Sequence, residues 1–156
     1  MSLAALDADN QRWLGGWGAC EAVSSVLKSH GWTNSDIAEA ACWAVSNLAS
    51  NSVDNQAKLG AAGACEAVVE ALSVHGESDV HVAEAGCWAV NNLIMSSILD
   101  NQRRILESGA CVAVVTVLAI HAMDSDSVAE AVRTYLHTNT ALLSSAQLLS
   151  PHHSRC

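Results

Sequence analysis

The chain lacks phenylalanine and has one tyrosine and one proline among its 156 residues. Aromatic residues make up only 4% of a composition that is 51% hydrophobic, so the apolar content is mainly Ala, Val, Leu and Cys. This composition favours closely packed helices over a β core, which would be rich in aromatic and β-branched side chains. The single proline, Pro151, lies near the C-terminal end and therefore interrupts no earlier helix.

Positive charge is also scarce. The chain has 7 Lys and Arg residues and 16 Asp and Glu residues, which gives a formal net charge of −9. Nucleic acids need cationic side chains to neutralise their phosphates, so this balance argues against a nucleic-acid partner and favours a basic one. The apolar run from Gly109 to Met123 is too short to span a bilayer. We therefore predict a buried helix there and no membrane partner.

The sequence repeats itself with a period of 45 or 46 residues. The segment from Asp54 to Leu93 has a near copy from Asp9 to Leu48 and a weaker copy further along the chain. Such periods are typical of solenoids, whose units bury their apolar faces only by stacking. We predict unit 1 at 7–52, unit 2 at 53–98 and a degenerate unit 3 at 99–143, followed by a disordered tail at 144–156. Equivalent residues are Asn10, Asn55 and Asn101; Cys20, Cys65 and Cys111; and His30, His75 and His121.

Each unit has the start and stop signals of three helices, which unit 2 shows most clearly. The carboxylate of Asp54 can cap a short first helix, and glycines ending at Gly63 permit a sharp turn after it. The second helix ends at His75-Gly76, where glycine is a common stop and histidine suits the negative end of the helix dipole. The third helix follows Ser78-Asp79 and runs through Leu93.

Two segments carry a resemblance to a known family. Leu59 to Ala64 with Val68-Val69, and Ala41 to Leu48 with its copy Gly86 to Leu93, resemble the armadillo-repeat family. The resemblance implies an all-α fold, a right-handed α-α superhelix (an armadillo solenoid) of about three repeats. It also implies a protein-binding scaffold whose third helices line a concave groove.

The predicted third helices carry a polar and aromatic stripe. On a helical wheel, Ala38, Ala41, Cys42, Val45 and Leu48 share one side with Ile37 and Ala44 and predict a core face. Residues four apart on the nearly opposite side form a second row, because residues at this spacing are neighbours on a helix. We call this row and its copy in unit 2 the stripe; it consists of Glu39, Trp43, Asn47, Glu84, Trp88 and Asn92.

The Trp-x-x-x-Asn array in the stripe resembles that of importin-α, which implies binding of an extended basic peptide. An amide can bond the peptide backbone, for about 0.5–1.5 kcal/mol net. Neighbouring indoles can hold a Lys or Arg stem, with about 0.5–2 kcal/mol of cation–π attraction, and Glu39 and Glu84 can receive the charge. In unit 3, Thr134 and Thr138 replace Trp and Asn. Two sites predict weak affinity, about micromolar to millimolar.

An alternative hypothesis gives the stripe a purely architectural role. Trp43 and Trp88 would pack between neighbouring units, and Asn47 and Asn92 would cap or bridge helices. The chain would then be a fragment of a larger solenoid or a self-assembling repeat module without a peptide groove.

The N-terminal end carries unusual indoles. Trp13, Trp17 and Trp32 stand where unit 2 has Lys58, Ala62 and Glu77. Terminal units of a solenoid normally have polar outer faces, so this end predicts packing against a missing segment, a partner or a second copy of the chain. Self-association through an uncapped N-terminal end is therefore one of our expectations.

The cysteines and histidines do not indicate catalysis. Five of the six cysteines recur at repeat positions and are best interpreted as small apolar core residues with free thiols. The absence of a charged-then-apolar leader after Met1 leads us to expect a cytoplasmic protein, with the nucleus as a second possibility. The loop from His75 to His81 contains Glu77 and Asp79, yet unit 1 keeps no such set, so we predict no metal site and no cofactor. No nucleophile has a His and a carboxylate in a recognisable arrangement, and we predict no enzymatic activity.

Overall fold

The computed structural model describes residues 8–95, 99–121, 123 and 125–149, with side chains as far as residue 137. Over these ranges the chain is all-helical and has no β-strand, which confirms the predicted class. A π-helical turn, Leu27–Gly31, extends the second helix of unit 1. The α-helices are α1 (Ala8–Gly16), α2 (Ala19–Val26), α3 (Ser35–Ala49), α4 (Val53–Ala61), α5 (Ala64–His75), α6 (Val80–Ile94), α7 (Leu99–Glu107), α8 (Ala110–His121) and α9 (Asp126–Leu149).

The helices follow the sequence period, with a short first helix and two longer ones in each unit. The turn between the first and second helices is made at Gly18, Gly63 and Gly109, with φ of +85°, +85° and +88°. A residue with a Cβ is strained in this left-handed conformation by about 1–2 kcal/mol. Glycine at this position is therefore what lets each second helix fold back against the first.

The helix caps differ in part from the prediction. Asp54 and its counterparts lie inside the first helices, and the cap of α4 is Ser52, whose hydroxyl accepts from the amide of Asn55 at 3.4 Å. In the third helices, Asp79 caps α6 as predicted, whereas Asn34 caps α3. A Ser or Asn side chain satisfies the same unpaired amides as a carboxylate does, so α4 begins two residues before the start that a cap at Asp54 predicts.

The third helices form the centre of the molecule: α6 packs against α3 on one flank and against α9 on the other. Their core face is the predicted one, with Ala38, Ala41, Cys42, Val45 and Leu48 buried in α3. Ile37 and Ala44 are instead half-buried. Small residues allow α5 and α6 to approach closely. At Gly86, for example, an added Cβ would lie only 2.5 Å from the side chain of Leu72.

Asparagines join the first helices of units 2 and 3 to the preceding unit. The amide nitrogen of Asn55 donates to the carbonyls of Gln11 (2.9 Å) and Leu48 (3.0 Å). Asn101 makes the equivalent bonds to Gln56 and Leu93. Leu48 and Leu93 lie in the last turns of α3 and α6, where carbonyls lack helical partners. The asparagine therefore caps one helix while tying two units together.

Two glycines make room for these asparagines. A Cβ at Gly15 would lie 1.9 Å from Oδ1 of Asn55, and one at Gly60 would lie 1.8 Å from Oδ1 of Asn101. In unit 3 the equivalent position is Leu106, which is exposed. The surface that would receive a further asparagine is therefore blocked by a side chain in unit 3.

Histidines make a second junction, where the sequence predicted only a helix-dipole role. Nε2 of His75 lies 2.9 Å from the carbonyl of Gly31, and Nε2 of His121 lies 2.8 Å from that of Gly76. A carbonyl only accepts, so each ring donates from Nε2. Each second helix is thus bonded to the end of the second helix before it.

Four of the five repeated cysteines are buried core residues, as predicted: Cys20, Cys42, Cys65 and Cys87. Cys111 departs from the pattern, because it is exposed and lies 3.4 Å from the hydroxyl of Tyr135. Unit 3 has no described helix packed outside α8, which leaves this position uncovered. Cys156 lies outside the described residues.

The C-terminal part is more regular than predicted. Helix α9 continues to Leu149, so residues 144–149 of the predicted disordered tail have helical backbone; residues 150–156 lie outside the described part. The segment before Pro151 is rich in Ala and Leu and contains neither Gly nor Pro. Helix propensity therefore carries the helix through the serine and threonine residues between positions 138 and 145.

No single helix in the described ranges has the length and apolar content of a membrane span. Helices α7 and α8 pass such a test only as a pair, and they are bent by 66° at their junction.

Candidate functional site

The stripe is the part of α6 that reaches solvent. Every residue from Val82 to Ile94 is buried except Glu84, Trp88 and Asn92. These three residues lie four apart on one face, and α3 and α9 cover the flanks. In the centre of the molecule, the exposed surface of the third helix is therefore the set of residues that the helical wheel singled out.

In α3 the stripe lies on a wider exposed surface. Glu39, Trp43 and Asn47 are half-buried, like their counterparts in α6, but Ala40 is exposed and Ala44 is half-buried beside them. The outer flank of α3 has no third helix against it within the described chain. The described helices therefore leave this flank uncovered on the N-terminal side of the stripe.

The two indoles do not point away from the core as fully as predicted. Trp43 and Trp88 are half-buried and pack against the hydrophobic core. An indole is large enough to rest against a neighbouring helix while keeping one side in water. Each ring therefore presents only part of its surface to solvent.

The two asparagines of the stripe differ in their bonding. The amide nitrogen of Asn92 donates to both the carbonyl (3.1 Å) and the hydroxyl (2.9 Å) of Ser46 in α3. Both amide hydrogens are thus engaged, and its oxygen is left to accept a bond. The side chain of Asn47 has no hydrogen bond to the described residues, because the position equivalent to Ser46 would lie in a preceding unit.

A row of carboxylates runs along the stripe, one in each unit: Glu39, Glu84 and Glu130. Glu84 accepts a hydrogen bond from the hydroxyl of Ser127 at the start of α9. Glu130 forms an ion pair with Arg133, one turn along α9. Glu39 has neither kind of partner among the described residues, so it is the carboxylate most available to a bound cation.

Glu130 is a site residue that the sequence analysis missed, although it lies 46 residues after Glu84. Its pairing with Arg133 is exposed and therefore weak, about 0–1 kcal/mol. The stripe does weaken in unit 3, as predicted, because Thr134 replaces the indole and its hydroxyl donates to the carbonyl of Glu130. The side chain of Thr138 lies outside the described part of the chain.

His81 and Met95 extend the stripe beyond both ends of the predicted set in unit 2, and both are exposed. Their spacing from Glu84 and Asn92 is three residues, which also falls on one helix face. This spacing could have identified them from the sequence. They add an imidazole at one end and a thioether at the other.

Burial keeps the two thiols beneath the stripe, Cys42 and Cys87, in their protonated form. Burial raises the pKa of the Cys42 thiol to about 12, and the nearby Cys87 adds to the effect. Burial also raises the pKa of Cys87 to about 12. Because the thiolate is the reactive form, both side chains are neutral and inert at neutral pH.

At the head of α6, the carboxylate of Asp79 is held in its charged form. Partial desolvation opposes ionisation, but the amides of Val82 and His81 donate to it and its pKa is lowered. The bond to the His81 amide is 3.0 Å long. This carboxylate is a helix cap, and it fixes the position of His81 at the end of the stripe.

The described side chains contain no group of three or more His, Cys, Asp and Glu that could hold a metal ion. The loop residues considered for such a site are separated by their other roles, since His75 bonds to unit 1 and Asp79 caps α6. A cleft of about 290 Å³ lies between α5 and α8, lined in part by Ser73, Ser108 and Val112. It includes no residue of the stripe.

Comparison of the sequence with models of known protein families and with curated proteins finds no match.

Proposed function

We propose that this chain is a protein-binding scaffold, an armadillo-type right-handed superhelix of about three repeats. Its stripe would bind an extended basic segment of another protein in a concave groove. The observation that carries the proposal is the burial pattern of α6, in which only Glu84, Trp88 and Asn92 between Val82 and Ile94 remain accessible. A core helix in a purely structural module has no need to keep an indole, an amide and a carboxylate in a single exposed row.

Charge supports a basic ligand. The chain has a net charge of −9, and Glu39 and Glu84 place a carboxylate in the stripe of units 1 and 2. A Lys or Arg side chain lying between Trp43 and Trp88 would have its stem against the indoles and its charge near Glu39. Cation–π attraction at such a site contributes about 0.5–2 kcal/mol.

The register of the ligand follows from the helix spacing. Packed helices lie about 8–10 Å apart, and an extended peptide advances about 3.3 Å per residue. Two or three ligand residues would therefore pass each unit, and alternate side chains would face the stripe. Asn47 would supply both an amide donor and an acceptor to the ligand backbone, whereas Asn92 would supply only its oxygen.

The architectural alternative has its own support. Asn92 bridges α6 to α3, Glu84 is bonded to α9, and both indoles contact the core. If these contacts were the whole role of the stripe, its residues would matter for stability and not for binding.

Calorimetric titration with a Lys/Arg-rich extended peptide distinguishes the peptide-binding function from the architectural one. The control is a peptide of equal length in which Ser replaces Lys and Arg. We expect weak binding of the basic peptide, about micromolar to millimolar, that decreases with added salt. Glu39→Gln should weaken this binding without changing the unfolding midpoint. Equal binding of the two peptides, or none by either, would leave only the architectural function.

A further inference from the structure

Unit 2 packs against unit 1, and Gln56 donates to the carbonyl of Ala49. Five further positions of unit 2 form hydrogen bonds to unit 1 through a side chain or a backbone carbonyl. The positions are Asn55, Lys58, Ala62, His75 and Asn92. Their bonds go mostly to backbone carbonyls of unit 1, which any sequence offers. The junction is therefore defined by geometry and by the glycine that admits Asn55.

Unit 1 has counterparts of all five positions on its own outer side. We call them the N-terminal face; they are Asn10, Trp13, Trp17, His30 and Asn47. The side chains of the two asparagines and the histidine have no hydrogen bond to the described residues. The indoles of Trp13 and Trp17 are 67% and 84% exposed. The face thus repeats the geometry of an internal junction, and the described residues supply it with no partner groups.

We propose that the N-terminal face docks the end of a helical repeat unit belonging to a partner protein other than a second copy of this chain. The docked unit would have a glycine at the end of its first helix to admit Asn10. Its backbone carbonyls would accept from Asn10, His30 and Asn47, as those of unit 1 accept from unit 2. Continuity with the junction between units 1 and 2 is what identifies this occupant.

A second copy of the chain does not fit the face by the same geometry. The other end of the described array is unit 3, where Leu106 stands at the position of Gly15 and Gly60. At those glycines a Cβ would lie 1.8–1.9 Å from the asparagine oxygen. Asn10 of one copy could therefore not enter unit 3 of another without losing its bonds, and head-to-tail stacking stops at Leu106.

The indoles favour a separate molecule over another internal junction. At the two internal junctions, the position of Trp13 holds a cation: Lys58 donates to the carbonyl of Gly15, and Arg104 pairs with Glu66. Trp is among the residues that contribute most to interfaces between proteins. Arg12 pairs with Asp9 on α1, so the helix that carries Asn10 and Trp13 has no net charge to repel a partner.

The test joins a matching repeat unit to the chain and measures whether this unit covers the N-terminal face. A second copy of residues 53–98 is placed ahead of Ala8, in place of residues 1–7, so that the glycine and carbonyls of the added unit precede Asn10. Hydroxyl-radical footprinting then measures the oxidation of each tryptophan. We expect oxidation of Trp13 and Trp17 to fall several-fold relative to the original chain. Trp32 should be unchanged, because its counterpart Glu77 is exposed in unit 2.

Two further measurements decide the interpretation. Replacing the glycine of the added unit that corresponds to Gly60 with Leu, as in unit 3, should restore the oxidation of Trp13 and Trp17. If these indoles are equally oxidised with and without the added unit, or if the Leu variant protects them equally, the proposal is wrong. Sedimentation equilibrium of the original chain should show a monomer. A dimer that Trp17→Ser dissociates would make the occupant a second copy and overturn the proposal.

Discussion

Replacement of Asn55 by Ala tests whether the inter-unit asparagines stabilise the fold, and the repeat provides its own control in Asn10. Asn55 is buried and donates to Gln11 and Leu48 at 2.9 and 3.0 Å, whereas its counterpart Asn10 is exposed. Each bond contributes about 0.5–1.5 kcal/mol net, and leaving a buried helix-end carbonyl without a donor costs about 1–3 kcal/mol more. We therefore expect Asn55→Ala to lower the free energy of unfolding by about 2–4 kcal/mol.

Equilibrium unfolding in urea, followed by far-ultraviolet circular dichroism, measures this loss. Asn10→Ala should change the free energy of unfolding by no more than about 0.5 kcal/mol, as is usual for surface substitutions. The contrast is sharp because the two residues occupy the same repeat position and have the same chemistry. Equal costs for the two variants, or no cost for Asn55→Ala, would refute the idea that the asparagine contacts hold the units together.

The remaining predictions concern glycine, histidine and cysteine. Gly15→Ala should lower the free energy of unfolding by about 1–3 kcal/mol through overpacking against Asn55. Gly16 has open space around it, so Gly16→Ala should be neutral or stabilising by up to about 1 kcal/mol. Urea titrations measure the free energy of unfolding of both variants. His75→Ala should lower the urea midpoint and His30→Ala should leave it unchanged, because only the first ring is bonded to another unit. Burial raises the pKa of the four buried thiols from 9.0 to about 11 or 12. Their contribution to stability is therefore complete below about pH 9 and is lost progressively as the pH rises from there through the folded-state values. Thermal unfolding midpoints that stay constant from pH 8 to pH 11 would contradict this.

The all-α class and the stripe were predictable because both depend on local periodicity. Apolar spacing of 3.6 residues identifies helices, and a residue four positions along a helix shares a face with the first. The exposed row on α6 follows from Glu84, Trp88 and Asn92 being large or polar side chains on one side of a helix rich in small residues. Glu130 and His81 were predictable by the same rules and were missed.

Other features depend on contacts between units, which local patterns do not specify. The recurrence of Asn55 and Gly15 marks them as important. Their contact, however, joins residues that are forty positions apart in the sequence, and a local pattern does not predict it. The half-burial of Trp43 and Trp88 likewise depends on the position of neighbouring helices. The capping residues and the extent of α9 were wrong in detail because several adjacent residues can end or begin a helix at similar free energy.

The most direct test of the proposed groove is a fluorescence titration with a Lys/Arg-rich peptide. We predict that the peptide changes the tryptophan emission in a saturable way, and that Trp43→Ala and Trp88→Ala each weaken its binding. Trp17→Ala, which alters an exposed indole away from the stripe, should leave the binding constant unchanged. The account would be contradicted if the peptide caused no saturable change, or if the Trp43 and Trp88 variants bound it as tightly as the original chain and only unfolded more easily.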